Sequence, residues 1–192
     1  DDVLLVDDMA QIDREAIGFR ACDRIWRAPW RLGVAAAFNA GVGLALREPV
    51  VMLGADDWLE GDALDAARAA FDAADAQQRA TTWWYFGLRY TDGREQQAAC
   101  HAAMVTRALW RALGGFPPEV GVGAPDHILL SVIYARPETF RVRPIDESRI
   151  LYHHRVHEAQ ETARSNYWPA IDHVRGALTE NWRPPEWGRY SP

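Results

Sequence analysis

Residues 50–64 read VVMLGADDWLEGDAL: four apolar residues, then Gly54 and Ala55, then two adjacent carboxylates, Asp56 and Asp57. A short continuous apolar run marks a strand buried on both faces, so PVVML (49–53) is expected to be a strand of a parallel sheet. Two anions side by side at its end repel each other, and something there must offset the repulsion. In open α/β sheets, ligands bind beyond the carboxyl ends of the strands. Adjacent carboxylates in that place suit a hard divalent cation shared with a diphosphate. Helix N-caps or solvated loop acids would also account for one such pair. A second pair, Asp7 and Asp8, ends the apolar run DVLLV (2–6) at the matching position of an earlier strand.

Around these strands the pattern is helical. Ile12, Ala16 and Phe19 fall on one face of a segment after the first strand. Val34, Ala37, Phe38, Gly41, Leu44 and Ala45 repeat at helical spacing over 33–46, and Leu64, Ala67, Phe71 and Ala74 mark an amphipathic helix across 62–78. The order strand–helix–helix–strand–helix implies an α/β fold with parallel strands. After residue 80 the chain turns β-rich, with TDG (91–93) as a hairpin turn. A helix from Thr106 is expected to stop at Gly114–Gly115, another to open at Asp126, and FRVRP and RILYHH to form short strands. A terminal helix is expected over 158–182, kinked or broken at Pro169, with 161–182 as the last segment of the domain and 183–192 as a loose tail.

The 192 residues suffice for one domain with a sizeable core. A net charge of −6, without a dense basic run, argues against nucleic acid as a partner. Cys22 and Cys100 are too few for a disulfide framework or a cysteine zinc site. No apolar run approaches the roughly 20 residues of a membrane helix, and no signal peptide is visible, so a cytoplasmic chain, or one peripheral at a membrane, is expected.

Several segments together resemble the family 2 glycosyltransferases, which have the GT-A fold. VLLVDDMAQ is similar to that family's VVDDGS segment, and Gly33, Ala37, Asn39 and Gly41 follow its glycine…alanine-x-asparagine-x-glycine helix. VVMLGADDWLEGDAL resembles its metal-binding strand end, LDADDWLxPxxL. Arg107, Gly114, Gly115 and Phe116 match an arginine helix ending in GGF; VGAPDHILLSVI occupies the place of EDxxL, and HRVHEAQET that of YRxH. The matches run in the family's order over roughly residues 2–160.

The resemblance implies a mixed, mostly parallel, Rossmann-type sheet flanked by helices, in a single domain over 1–182. Residues 1–80 would be the nucleotide-binding half and 81–160 the acceptor half. It implies an inverting transfer of a sugar from a nucleotide-diphosphate donor, most often UDP-linked, to a hydroxyl of a glycan, lipid or small molecule. Asp7, Asp8, Arg31, Asn39 and Asp56 would bind the nucleotide, Asp57 would ligate Mn²⁺ or Mg²⁺, and His157 would add a metal or phosphate contact. Asp126 would be the general base, at a helix N-terminus where the dipole favours an anion; read by itself it is equally a plain N-cap.

The sequence departs from the family at Gly54, where an acid is common, at Pro125 in place of glutamate, and at Phe38 in place of arginine. No arginine stands at Ser131 or Val132, and the family's first strand with its P-x-Y-N motif is not in this sequence, which therefore reads as a piece of a longer protein. A homo-oligomer is compatible with the late helix and tail. Two alternatives compete: a non-catalytic glycosyltransferase-like binding or scaffolding module, and a nucleotidyltransferase, which would need a glycine-rich basic phosphate loop. His153, His154 and His157 raise a zinc site against separate roles. His101 is a satisfied strand histidine or a cleft residue. Of Trp83 and Trp84, adjacent on a strand and facing opposite ways, one is expected in the core; the other, with Trp58 or Trp110, is a candidate sugar-stacking surface, core remaining the better reading for each taken singly.

Overall fold

The computed structural model describes residues 2–13, 15, 23–117 and 125–157. Its elements in order are β1 (Leu4–Asp7), β2 (Arg24–Arg27), α1 (Val34–Leu44), β3 (Val50–Val51), β4 (Trp58–Leu59), α2 (Ala63–Asp72) and α3 (Ala76–Thr81). There follow β5 (Thr82–Tyr85), β6 (Gly87–Tyr90), β7 (Glu95–Gln96), β8 (Ala103–Val105), α4 (Arg107–Leu113), α5 (Pro125–Tyr134), β9 (Arg141–Pro144) and β10 (Ile150–His154). The fold is α/β, with mixed sheets flanked by helices. The strands pair as β1-β2, as β4-β10-β6-β7 and as β3-β8-β5-β9.

Parallel pairing joins β1 to β2, β5 to β9 and β6 to β10, while the other ladders are antiparallel. The parallel share is smaller than the apolar runs suggest: the run PVVML, expected in a parallel sheet, forms a strand only at Val50–Val51, which pairs antiparallel with β8. The TDG turn adds a further antiparallel pair, where Gly93 at φ 90° donates its N–H to the Tyr90 carbonyl at 2.9 Å and closes β6 onto β7. No helix among the described residues is long and apolar enough to cross a membrane.

Alternation along β5 and β8 explains the core. Trp83, Ala103 and Val105 point to one side, against α1, α4 and α5, with Trp110, Phe116, Leu129 and Ile133. Trp84, Ala102 and Met104 point to the other side, against α2 and β10, with Phe86, Leu88 and Tyr152. The sheet is therefore buried on both faces. The tryptophans follow the core reading: Trp83 and Trp84 are both core, 0% and 3% exposed, and so is Trp110, which leaves only Trp58 of that group for a surface role.

Local chemistry sets the helix ends. The Thr106 hydroxyl accepts the Leu109 N–H at 3.1 Å, and Gly114 ends α4 in the left-handed conformation at φ 82°. The single helix expected over 62–78 is instead two, because Asp75 and Gln78 form a reciprocal capping box that starts α3 afresh. Strand β2 was not foreseen between the first strand and α1. Residues 11–13 are not helical; Ala16, Phe19 and the expected terminal helix lie outside the described residues.

Asn39 joins distant parts of the chain. Its amide nitrogen donates to the Phe116 carbonyl at 2.8 Å and its amide oxygen accepts the Phe116 N–H at 2.9 Å, fastening α1 to the GGF turn after α4. Asn39→Ala strips both partners from a half-buried backbone group. It is expected to cost about 2 kcal/mol, read as a lower urea midpoint with unchanged slope; an unchanged midpoint would show that the clamp carries no stability.

Candidate functional site

The opening stretch ends in a tight turn rather than a long strand. The Asp57 N–H donates to the Gly54 carbonyl at 3.2 Å, and the chain enters β4 immediately afterwards. β4 runs antiparallel to β10, with Trp58 opposite His153 and Leu59 opposite Tyr152. Alternation then puts Asp57, Tyr152 and His154 on one face and Trp58 with His153 on the other.

Asp57 is the centre of the site. Its side chain is 2% exposed, yet four groups reach its oxygens. Tyr152 donates its hydroxyl to Oδ2 at 2.6 Å, and the Arg155 N–H donates to Oδ1 at 3.0 Å. His154 Nδ1 lies 3.0 Å from Oδ1 and His101 Nε2 3.8 Å from Oδ2. Burial opposes ionisation of Asp57, but the hydrogen bonds from His101, His154, Tyr152 and the Arg155 N–H outweigh it and hold the carboxyl far below the usual range. Burial, then the Asp57 charge beside it, pushes the Tyr152 hydroxyl well above its ordinary value, so it stays a donor.

His101 links two acids. It lies in the loop before β8, with Nδ1 4.0 Å from Asp126 Oδ2 and Nε2 facing Asp57. Burial pulls its pKa down, but the hydrogen bond to Asp57 and the charges of Asp126, Asp57 and Asp56 raise it overall. Asp126, in the first turn of α5, is itself buried. Of the two readings left open for His101, the structure favours the cleft; Tyr152 was not singled out as a site residue from sequence, its only signal being membership of the strand RILYHH.

The remaining expected residues divide. His157 Nε2 meets Asp56 Oδ2 at 2.8 Å, at the edge of the same site. Asp7 accepts the N–H groups of Ala10 at 2.8 Å and Ile12 at 3.1 Å and pairs with Arg27, so its carboxylate organises the loop after β1. Asp8 accepts the N–H groups of Leu32 and Gly33, tying β1 to the start of α1, while Arg31 in that loop is exposed. The amide of Asn39 is taken up by Phe116, as described above. The histidine cluster does not converge as a zinc site: His153 lies on Glu60 at 2.6 Å and stacks on Trp58, His154 serves Asp57, and His157 serves Asp56.

Gly54 proves to be a steric requirement of this arrangement. A Cβ there would lie 2.5 Å from Asp57 Oδ2 and 3.4 Å from Asp56 Oδ1. An acid at position 54, as in the family pattern, would displace the Asp57 carboxylate where it now stands.

The donor set fits a cation. One oxygen of Asp57 and one nitrogen each of His101 and His154 lie within 4.8 Å of one another. Two imidazoles with one carboxylate suit Mn²⁺, Fe²⁺ or Zn²⁺ better than Mg²⁺, which prefers oxygen.

No protein-family model and no curated sequence matches the chain. Among solved structures it is similar to S. aureus TarS, residues 1–349, in complex with UDP-GlcNAc, at a TM-score of 0.68 and 15% identity. The match covers 90% of this chain and 56% of that one, so the chain spans about half the length of that structure. At this identity the likeness is one of fold.

The raised pKa of His101 has a definite sign. Its stabilising pairing is complete below the ordinary histidine value, about 6.5, and is lost as the pH rises through the higher folded value. In metal-free protein, proton NMR should show the His101 ring titrating above its ordinary value, and Asp57→Asn should move that titration down. A titration that Asp57→Asn leaves in place would remove Asp57 as the partner.

Proposed function

We propose that the chain is the core of a glycosyltransferase that moves a sugar from a nucleotide-diphosphate donor, UDP-linked, to an acceptor hydroxyl with inversion and with the help of a divalent cation. The observation that carries this reading is the convergence of Asp57, His101, His154 and Asp126 at one point. The fold likeness to a structure holding UDP-GlcNAc supports the donor class.

On this reading Asp57 and His154, joined by His101, hold the cation. When bound, it supplies positive charge to the leaving nucleoside diphosphate. Asp56, kept in place by His157, faces the ribose or diphosphate, and the loops fixed by Asp7 and Asp8, with Arg31 exposed beside them, form the nucleotide end. Asp126 accepts the proton of the acceptor hydroxyl: a single displacement needs one carboxylate base on the side away from the leaving group. Both acids are nearly enclosed, which strengthens their interactions with whatever replaces water there. Asn39 acts at one remove, by fixing α1 against the GGF turn.

Thermal unfolding tests the donor site directly. UDP at 100 times its Kd should add about 2.7 kcal/mol, in a Mn²⁺-dependent way that Asp57→Asn abolishes. No shift with any nucleoside diphosphate, with or without metal, would end this reading. Asp126→Asn separates binding from chemistry. It should keep the UDP and Mn²⁺ shift while slowing transfer about 10²–10⁴-fold; loss of the shift instead would place Asp126 in donor binding.

A further inference from the structure

Tyr152 makes a relay of two hydrogen bonds that the roles above leave unused. Its hydroxyl oxygen accepts the Gly54 N–H at 3.1 Å, and its proton goes to Asp57 Oδ2 at 2.6 Å. A phenol has one proton to give. With Gly54 donating to the oxygen, that proton is directed at the carboxylate. The ring is fixed as well: it is fully buried, packed against Phe86 at 6.3 Å and edge-on to His101 at 5.8 Å between centroids.

A carboxylate rotates easily about its terminal torsion, which is broad and roughly two-fold. One hydrogen bond leaves that rotation free. Asp57 is held at both oxygens: Oδ2 by Tyr152, and Oδ1 by the Arg155 N–H and His154. Gly54, having no Cβ, leaves Oδ2 the room it occupies. We propose that Tyr152 is a positioning residue for the cation site: its hydroxyl, anchored on Gly54, sets the Asp57 carboxylate in the orientation that converges with His101 and His154. This rests on the cation-assisted reading of the site. Gly54 and Tyr152 then form one unit, in which a buried hydroxyl from β10 orients the remaining acid where the family pattern would have a second one.

Mn²⁺ titrated into the metal-free chain, with free Mn²⁺ followed by electron paramagnetic resonance, tests the inference without recourse to activity. Tyr152→Phe keeps the ring and removes the hydroxyl. It should weaken Mn²⁺ binding about 10–100-fold, the usual effect of losing an outer-shell partner, while the chain in EDTA still unfolds in one cooperative step, at a midpoint lowered by the two lost hydrogen bonds. Equal Mn²⁺ affinity in the parent and Tyr152→Phe would overturn the inference and leave the cation site standing. A parent chain that does not bind Mn²⁺ would overturn both. Gly54→Ala provides a second route should Tyr152→Phe fail to fold. It retains the hydroxyl but pushes on Oδ2, so it should also lose affinity, and parent-like affinity would count against the unit.

Discussion

A carboxylate with almost no exposed surface is stable only if the protein replaces the water it has lost. For Asp57 that replacement comes from two regions: the loop before β8 with His101, and the end of strand β10 with Tyr152, His154 and the Arg155 N–H that follows it. These regions are about fifty positions apart in sequence. Their meeting point is one buried negative charge. Asp126, on α5, joins through His101, so the same charge also places the second acid. Remove the charge, and the loop, the strand end and the helix lose their shared reference.

The scaffold that makes this possible is the sheet built on β5 and β8. Because it is covered on both faces, its alternating residues feed two cores at once. One core carries α1, α4 and α5, and with them Asn39 and Asp126. The other carries α2 and β10, and with it Tyr152. Asp126 and Tyr152, which meet through His101 and Asp57, are thus fixed by the same few strands. Packing of this density transmits displacements rather than absorbing them, so the precision of the site is a property of the sheet as much as of its polar residues.

The fold was largely legible in the sequence where a single local rule governs. Thr106 and Gly114 marked both ends of α4, TDG marked a hairpin, and the run RILYHH marked β10. Two errors had local causes that were present but overlooked: the capping box of Asp75 and Gln78, and strand β2 with its polar ends. For the tryptophan pair the sequence left a surface alternative open for a different reason. Alternation says that adjacent strand residues face opposite ways; it does not say whether both faces are covered. Motifs mark the candidates Asp56, Asp57, Asp126 and His157, which lie near one another in the structure, and equally Asp7, Asp8 and Asn39, whose side chains hold backbone groups instead. His101 was readable only as a strand histidine or a cleft residue and Tyr152 has no motif; their contacts with Asp57 span 44 and 95 positions. No periodicity or spacing reports such a contact.

The closeness of Gly54 to Asp57 also couples two positions of the chain. A Cβ at position 54 would stand 2.5 Å from Asp57 Oδ2, so a side chain placed there first requires the Asp57 carboxylate to turn. Turning it disturbs the hydrogen bond from Tyr152, whose oxygen also holds the Gly54 N–H. Positions 54 and 57 therefore answer to one another: a substitution at the first is accommodated only by movement of the second, and Tyr152 feels both.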